Sequence, residues 1–406
     1  MAHILILGGG AAGLAAALAA AQAAPAARVT VLERNPKVGK KLLATGNGRC
    51  NLDNTAIAPE KYFTADPAAL RPLLAAVDAA APLAWFEQLG LYTRTDDAGR
   101  VYPYSDQANS VVDVLRFALE KPNITVKLGF EAEKVKKTAS GFRIVSGDET
   151  VECDRLIVAC GGLAGTKLGG SMSGYQILRS FGHSCTRLRP ALVQLKSSWN
   201  AVTSLKGVRA NCHAVILHDG KRFSESTGEL QFTQYGLSGP VIFEVSRDAC
   251  QGGGEWLCRL DFLPDMAENA LISELKRRKT TNLPVSELFT GILHNRLGRV
   301  LTQTAGISAG GAVSDLSDEE LRQAAHGAKA LSVHLTEPMG MDSAQVTAGG
   351  ILTSEFDETT MESRLVPGLY ACGEVLDIDG DCGGYNLQWA WSSGRLAGQS
   401  AGRNNT

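Results

Sequence analysis

An α/β fold, with parallel strands at the start and near the end of the chain and a β-rich and then a helical stretch between them, follows from three observations. Residues 3–33 read as strand, glycine turn, helix and strand in succession. Residues 191–262 change to short strand-like runs broken by turn signals, and 265–330 to helical periodicity. Buried-strand character then returns at 369–372, ahead of a last helix. At 406 residues the chain has room for two or three domains of roughly 150 residues each.

The first strand is "HILIL" at 3–7 and the helix is "AAGLAAALAAAQAA" from Ala11. Between them Gly8-Gly9-Gly10-Ala11-Ala12-Gly13 fits GxGxxG. Gly8 permits the tight turn, Gly10 lets a pyrophosphate approach the backbone, and Gly13 lets helix and strand pack closely. A purely structural glycine turn fits the same residues, so the context decides. The next strand, "RVTVLE", ends at Glu33, 20 residues after Gly13, where a carboxylate accepts hydrogen bonds from ribose hydroxyls. An acid at that place disfavours a 2′-phosphate and leaves FAD or NAD.

A plain nicotinamide dehydrogenase would continue with strand and helix. Here the chain enters "NPKVGKKLLATGNGRCNLDN" at 35–54, too long for a simple connection. Lys40, Lys41 and Arg49 supply cations for a pyrophosphate, and Thr45, Gly46, Asn47 and Gly48 offer hydroxyl and backbone donors. A solvated basic loop is the competing reading.

Composition narrows the classes. With 44% hydrophobic and 20% charged residues the chain is an ordinary globular one. A net charge of −2 and no long basic run give no footprint for a phosphate backbone, so no nucleic-acid partner is expected. The first 24 residues are apolar but lack a Lys/Arg n-region, and Gly8 to Gly10 interrupt them, so neither a signal peptide nor a membrane anchor is expected. Nine cysteines without CxxC spacing read as reduced thiols in a cytoplasmic protein, and seven histidines without ligand spacing give no metal site. His183 in "FGHSC" reads as a turn or core histidine.

At this point the sequence resembles the bacterial FAD flavoproteins of the BaiN/YhiN-like (aminoacetone-oxidase-like) family. The resemblance is carried by "GKKLLATGNGRCNLDN" at 39–54, "GRVYPYSDQANSVVDVL" at 99–115 and "LIVACGGLAG" at 156–165. It continues through "GELQFTQYGLSGPVI" at 228–242, "AQVTAGGI" at 344–351 and "MESRLVPGLYACGEVLDIDGDCGGYNLQWAWSSGRLAG" at 361–398. Two departures are Asp53, where the family usually has Thr, and Cys160, where "ATGG" is common.

The resemblance implies a glutathione-reductase-like FAD-binding Rossmann domain formed by 1–190 and 344–406. It implies an inserted β-rich domain at 191–264 returning at 331–343, and a small helical domain at 265–330. In the helical stretch Ser317 and Glu320 read as a capping box.

The strand at Leu369–Cys372 ends in Gly373 and Glu374, and by resemblance Glu374 or Asp377 lies near the ribityl chain. After Gly383 and Gly384, Asn386 is placed to cap the last helix, whose first amides, near Leu387 and Gln388, would face flavin N1 and the C2 carbonyl. Trp389 and Trp391 read as packing residues. The family places Ala159, Cys160 and Gly161 against the adenosine half, and Val135 is expected to offer main-chain contacts to adenine. Ala12, Arg34, Cys50 and Asn51 complete the expected cofactor contacts.

The expected substrate is a small molecule bound between the flavin face and the β-rich insertion, with Tyr102, Tyr104, Ser105, Tyr385 and 232–240 as candidate wall. The candidate catalytic residues are Cys382, Tyr385, Cys50 and Ser105. Either cysteine is a redox or acid/base partner of the flavin or a small packing thiol. Hydride transfer at flavin N5 is the expected reaction. NAD(P)H would dock transiently, because no second GxGxxG follows a strand. The alternatives are an aminoacetone-type amine oxidase using oxygen, and an FAD-containing tRNA-modifying or RNA-binding protein, which a pI near 6.4 opposes. A flavin-binding protein without turnover is a third.

Overall fold

The computed structural model describes residues 1–76 and 81–403. The chain divides into two compact units, one formed by 1–189 with 345–406 and the other by 190–344.

The first unit is built on a five-stranded sheet in the order Leu369–Ala371, Arg155–Val158, His3–Leu7, Arg28–Glu33, Ile124–Leu128. Every pairing is parallel. A parallel sheet is covered on both faces, and its central strands accordingly lack alternation: all of His3–Leu7 is buried. The helix Ala11–Ala23 is buried over Ala12 to Ala21. It packs against the last helix, Tyr385–Arg403, through small residues. A β-carbon added to Gly394 would lie 2.3 Å from the Ala12 carbonyl oxygen, and one added to Gly398 would lie 2.2 Å from that of Ala16. Glycine spacing of four thus gives a smooth face against which another backbone can lie. The two chain ends converge at this contact.

Two small antiparallel pieces complete the carboxyl side. Asp53–Asn54 pairs with Arg100–Pro103, which pairs with Thr93–Thr95. Tyr62–Phe63 pairs with Asp379–Gly380. Val135 sits on a separate antiparallel sheet, Lys134–Lys137 with Phe142–Ser146 and Glu149–Cys153, its side chain buried.

The second unit is a closed six-stranded barrel in the order Leu195–Ser197, Gly236–Ser238, Lys221–Phe232, Arg209–His218, Trp256–Asp261, Leu331–Pro338. Leu331, Val333 and Leu335 point inward while the residues between them are exposed, the period-two pattern of a half-buried strand. The helices Glu268–Arg277, Asn295–Thr304 and Asp318–Ala330 bury Leu271, Leu275, Leu297, Leu301, Leu321 and Ala325 in the same core as the barrel strands. The expected capping box is present: Ser317 Oγ accepts from Glu320 N at 3.2 Å and Glu320 Oε2 accepts from Ser317 N at 2.7 Å. Among the described residues, no helix is long and apolar enough to cross a membrane.

Candidate functional site

The strands His3–Leu7, Arg28–Glu33, Arg155–Val158 and Leu369–Ala371 run the same way, so Gly8, Glu33, Ala159 and Gly373 come together at one carboxyl edge. Gly8 has φ +107° and an added β-carbon would meet Ala159 O at 2.4 Å. At Gly13 it would meet Gly8 O at 1.9 Å. At Gly10 it would meet nothing within 4 Å. The first two glycines therefore serve the fold, whereas Gly10 keeps open a space outside the turn. Gly161, with φ +72°, faces open space in the same way. Glu33 Oε2 accepts from Gly9 N at 2.7 Å, and Oε1 accepts from Asn35 N at 2.7 Å and Asn35 Nδ2 at 2.6 Å. A carboxylate has about four acceptor sites, so one remains for a ribose hydroxyl. This edge fits a dinucleotide.

The loop after Glu33 is wound tightly. Gly46, Asn47 and Gly48 have φ of +57°, +55° and +82°, and Cys50 has φ +59°. This run of left-handed residues turns the backbone sharply back on itself, and Arg49 N and Cys50 N close the turn on Gly46 O and Thr45 O at 3.2 and 3.0 Å. Thr45 Oγ1 is turned inward, donating to Leu42 O at 2.7 Å. Lys41 does not stand free for a pyrophosphate: its Nζ pairs with Glu374 Oε2 at 2.8 Å, while Glu374 Oε1 accepts from Thr347 N at 2.9 Å. Lys40, half-buried, has no acidic partner among the described residues and is an available cation, while Arg49 donates to Gly46 O at 3.4 Å and lies over the Tyr102 ring. Arg34 is also spoken for, donating to Gly169 O at 2.7 Å and Gly170 O at 3.3 Å. Cys160 lies beside the first strand, its Sγ 3.6 Å from Leu7 O, and burial pushes its thiol up to about 12.

The far end of the loop clamps the last helix. Trp391 Nε1 donates to Leu52 O at 3.1 Å, and Asn54 Nδ2 donates to Gly383 O at 2.8 Å. With its amide oriented to satisfy both sides, Asn51 donates to Asp53 O at 3.1 Å and accepts from Gly384 N at 3.2 Å. Gly384, φ +111°, is required because a β-carbon there would lie 2.2 Å from Asp53 O. The helix in turn holds Gly373: Ser393 Oγ accepts from Gly373 N at 3.0 Å and Trp389 Nε1 donates to Gly373 O at 3.2 Å. Trp389 and Trp391 are packing residues, as expected. The first amides of Tyr385–Arg403 have no acceptor within the helix, which leaves roughly +0.5 charge at this end.

Several candidates take other roles. Asn386 does not cap the helix: it lies inside the first turn, accepting from Gly380 N at 2.9 Å and donating to Gly380 O at 2.8 Å, and so pins the preceding loop. Gln388 is fully buried, accepting from the Tyr62 hydroxyl at 2.6 Å and donating to Ser392 Oγ at 3.1 Å, with no surface to offer a cofactor. Cys50 likewise has none, and burial raises its thiol to about 12, the behaviour of a packing residue. Tyr385 is 5% exposed and packs edge-on against Tyr62, so its phenol is no open wall. Ser105 is exposed, but its hydroxyl donates to Ser110 Oγ at 2.7 Å and ties the turn to the helix Ala108–Ala118. Cys382 is half-buried in the turn before the glycine doublet.

Two features gain a shape in the fold that the sequence does not give them. The ribbon Thr93–Thr95 with Arg100–Pro103 sets Arg94 opposite Tyr102 and continues to Tyr92 opposite Tyr104, where Tyr104 N donates to Tyr92 O at 2.8 Å. Period two puts these four side chains on one face. Arg49 covers the Tyr102 ring at 4.6 Å, while Tyr92 and Tyr104 are 73% and 72% exposed. The second feature is Asp53, whose carboxyl is wholly buried with Oδ2 unpartnered.

One arrangement imitates acyl-transfer machinery. His183 Nδ1 lies 2.8 Å from Glu355 Oε2 and Nε2 lies 2.9 Å from Ser363 Oγ. Ser363 is buried, however, and its Oγ already accepts from Leu365 N at 3.1 Å and Val366 N at 3.0 Å. His183 is thus the core histidine that the sequence suggests.

A Rossmann turn closed by a buried acid, with the middle of a helix from the far end of the sequence packed against it, belongs with the family match below to the class of FAD-dependent oxidoreductases. The chain belongs to the HI0933-like family, whose Rossmann-domain profile matches residues 2–400. It is 39% identical over 410 residues to the 3-dehydro-bile acid delta(4,6)-reductase of Clostridium scindens, covering 99% of both chains. It is 33% identical over 399 residues to the ribosomal RNA dihydrouridine synthase of Escherichia coli, covering 96% of this chain and 95% of that one. Its fold is similar to that of 3-ketosteroid delta1-dehydrogenase from Sterolibacterium denitrificans, with a TM-score of 0.52 at 13% identity and all of both chains covered.

Proposed function

We propose that this protein is an NAD(P)H-linked reductase of carbon–carbon double bonds conjugated to a carbonyl. One observation carries the reading. The two relatives differ in what their names say they act on, a 3-dehydro bile acid and ribosomal RNA, yet both names describe adding hydrogen to such a bond. The 4,6 double bonds of a 3-keto steroid and the C5–C6 bond of uracil are each polarised by a ring carbonyl. What the relatives share is therefore the reaction rather than the substrate.

Bound FAD would supply a hydride to the β-carbon of such a substrate and be recharged by a reduced nicotinamide. The chain's own part is positioning, electrostatics and a proton. The open space at Gly10 and the left-handed run at 46–48 would hold the pyrophosphate, with Lys40 as counter-charge. The amides at the start of Tyr385–Arg403 would stabilise negative charge gathered at the flavin ring. Tyr92 and Tyr104 offer exposed aromatic faces to a planar ring system. Of the four catalytic candidates, Cys382 keeps exposed surface beside the glycine doublet, and it is the candidate donor of the proton that the α-carbon takes up.

Anaerobic mixing tests the proposal. NADPH or NADH should bleach the flavin, a 3-keto-4,6-diene steroid should restore its colour, and the product should be heavier by the hydrogens added. Bleaching by aminoacetone, with colour regained only in air, would sink it in favour of the oxidase. A uridine-reducing reading draws on the 33% relative, and dihydrouridine formed in added ribosomal RNA would support it. The net charge of −2 favours the small molecule.

A further inference from the structure

Asp53 lies directly beneath the start of the last helix. A β-carbon on Gly384 would be 2.2 Å from Asp53 O and 3.0 Å from its Cα. Its carboxyl has no exposed surface; Oδ1 accepts from Asn54 N at 2.7 Å and Oδ2 has no partner. Among the described residues no Lys or Arg pairs with this carboxyl. Tyr62, whose phenol feels the Asp53 charge, donates its proton to Gln388 Oε1 at 2.6 Å. Tyr385 stands edge-on to Tyr62, and Asp379 is a second buried acid on the strand paired with Tyr62–Phe63. Arg100, on the strand paired with Asp53–Asn54, is held by Asp96 at 2.8 Å.

We infer that Asp53 is held as an uncharged carboxylic acid under the helix start, and that its ionisation sets how strongly the site favours reduced over oxidised flavin. The inference rests on the FAD reading above. The helix end carries roughly +0.5 charge, so a full negative charge placed against it reverses the local field. With Asp53 neutral the field is intact and negative charge on the flavin ring is stabilised. Burial raises this carboxyl to about 7, so the change falls at neutral pH. Asp53 has no surface with which to touch the cofactor, and it acts through the helix as a positioning residue.

The test is the flavin midpoint potential of the purified holoprotein, measured by spectroelectrochemistry from about pH 6 to about pH 8. In wild type the preference for reduced flavin should fall about tenfold more than in Asp53→Asn, an extra ~30 mV for a two-electron couple. Parallel slopes in the two proteins would overturn the inference while leaving FAD binding intact. A wild-type protein that purifies without flavin and takes up none would overturn the FAD reading itself. Infrared spectroscopy gives a second readout that needs no folded variant. With isotope-labelled aspartate, wild type at about pH 6 should show the carbonyl stretch of a buried protonated acid, lost on raising the pH; its absence at low pH overturns the inference. A purely structural Asp53 would leave the potential slope unmoved.

Discussion

At the scale of single residues, the glycine turn separates folding from binding. Gly13 cannot carry a β-carbon without striking Gly8 O, whereas Gly10 can. Gly13→Ala should lower the melting temperature of the flavin-free protein, at a cost of about 1–3 kcal/mol. Gly10→Val should leave that temperature unchanged and weaken FAD binding, read by titration of flavin fluorescence. Loss of stability in Gly10→Val would show that its open space is part of the packing after all. Asp53 makes a second residue-scale prediction. Its ordinary value is 3.8 and its folded value about 7, so the folded state binds the extra proton between these limits. Stability therefore falls as pH rises from about 4 to about 7 and is level above, with a ceiling on the order of 4 kcal/mol. Asp53→Asn should remove that fall and melt higher than wild type at about pH 8. A variant that follows the wild-type pH curve in thermal melts would refute this.

At the scale of elements, the contact between Ala11–Ala23 and Tyr385–Arg403 decides where the helix N-terminus points. Gly398→Leu would drive a side chain into the Ala16 carbonyl, where even a β-carbon would stand at 2.2 Å. We expect loss of bound flavin together with several degrees of melting temperature, and a Gly398→Leu protein that keeps its colour on gel filtration would argue that the helix can shift. The elements differ in how far they can be read from sequence. His3–Leu7, Arg28–Glu33 and the capped helix at 318 are set by neighbours a few residues away, so pattern and propensity locate them. Gly394 and Gly398 read as weak points in a helix, because the backbone that requires them lies far away along the chain. Asn386 reads as a cap by its place after two glycines, yet the loop at 380 captures its amide first. In the sequence Cys50 reads as a cofactor contact and Asp53 only as a departure from the family's usual Thr. Only the fold shows that the strap from Cys50 to Asn54 turns both inward.

At the scale of the whole molecule, each unit has its own hydrophobic core. The unit 190–344 is continuous in sequence and is closed by a barrel, which leaves no open sheet edge. Expressed alone, it should unfold in one cooperative transition followed by circular dichroism, and a broad, non-cooperative melt would contradict this. The Rossmann unit differs because its sheet, its glycine turn and its helix-end charge are shared between the chain's two ends. During synthesis the first 189 residues must therefore wait, with the Ala11–Ala23 helix and the edge of strand Arg155–Val158 uncovered, until residues 345–403 have left the ribosome. A barrel that matures early gives the nascent chain a finished middle while the two halves of the Rossmann unit are still unjoined, so flavin capture waits on the synthesis of the segment that follows residue 344.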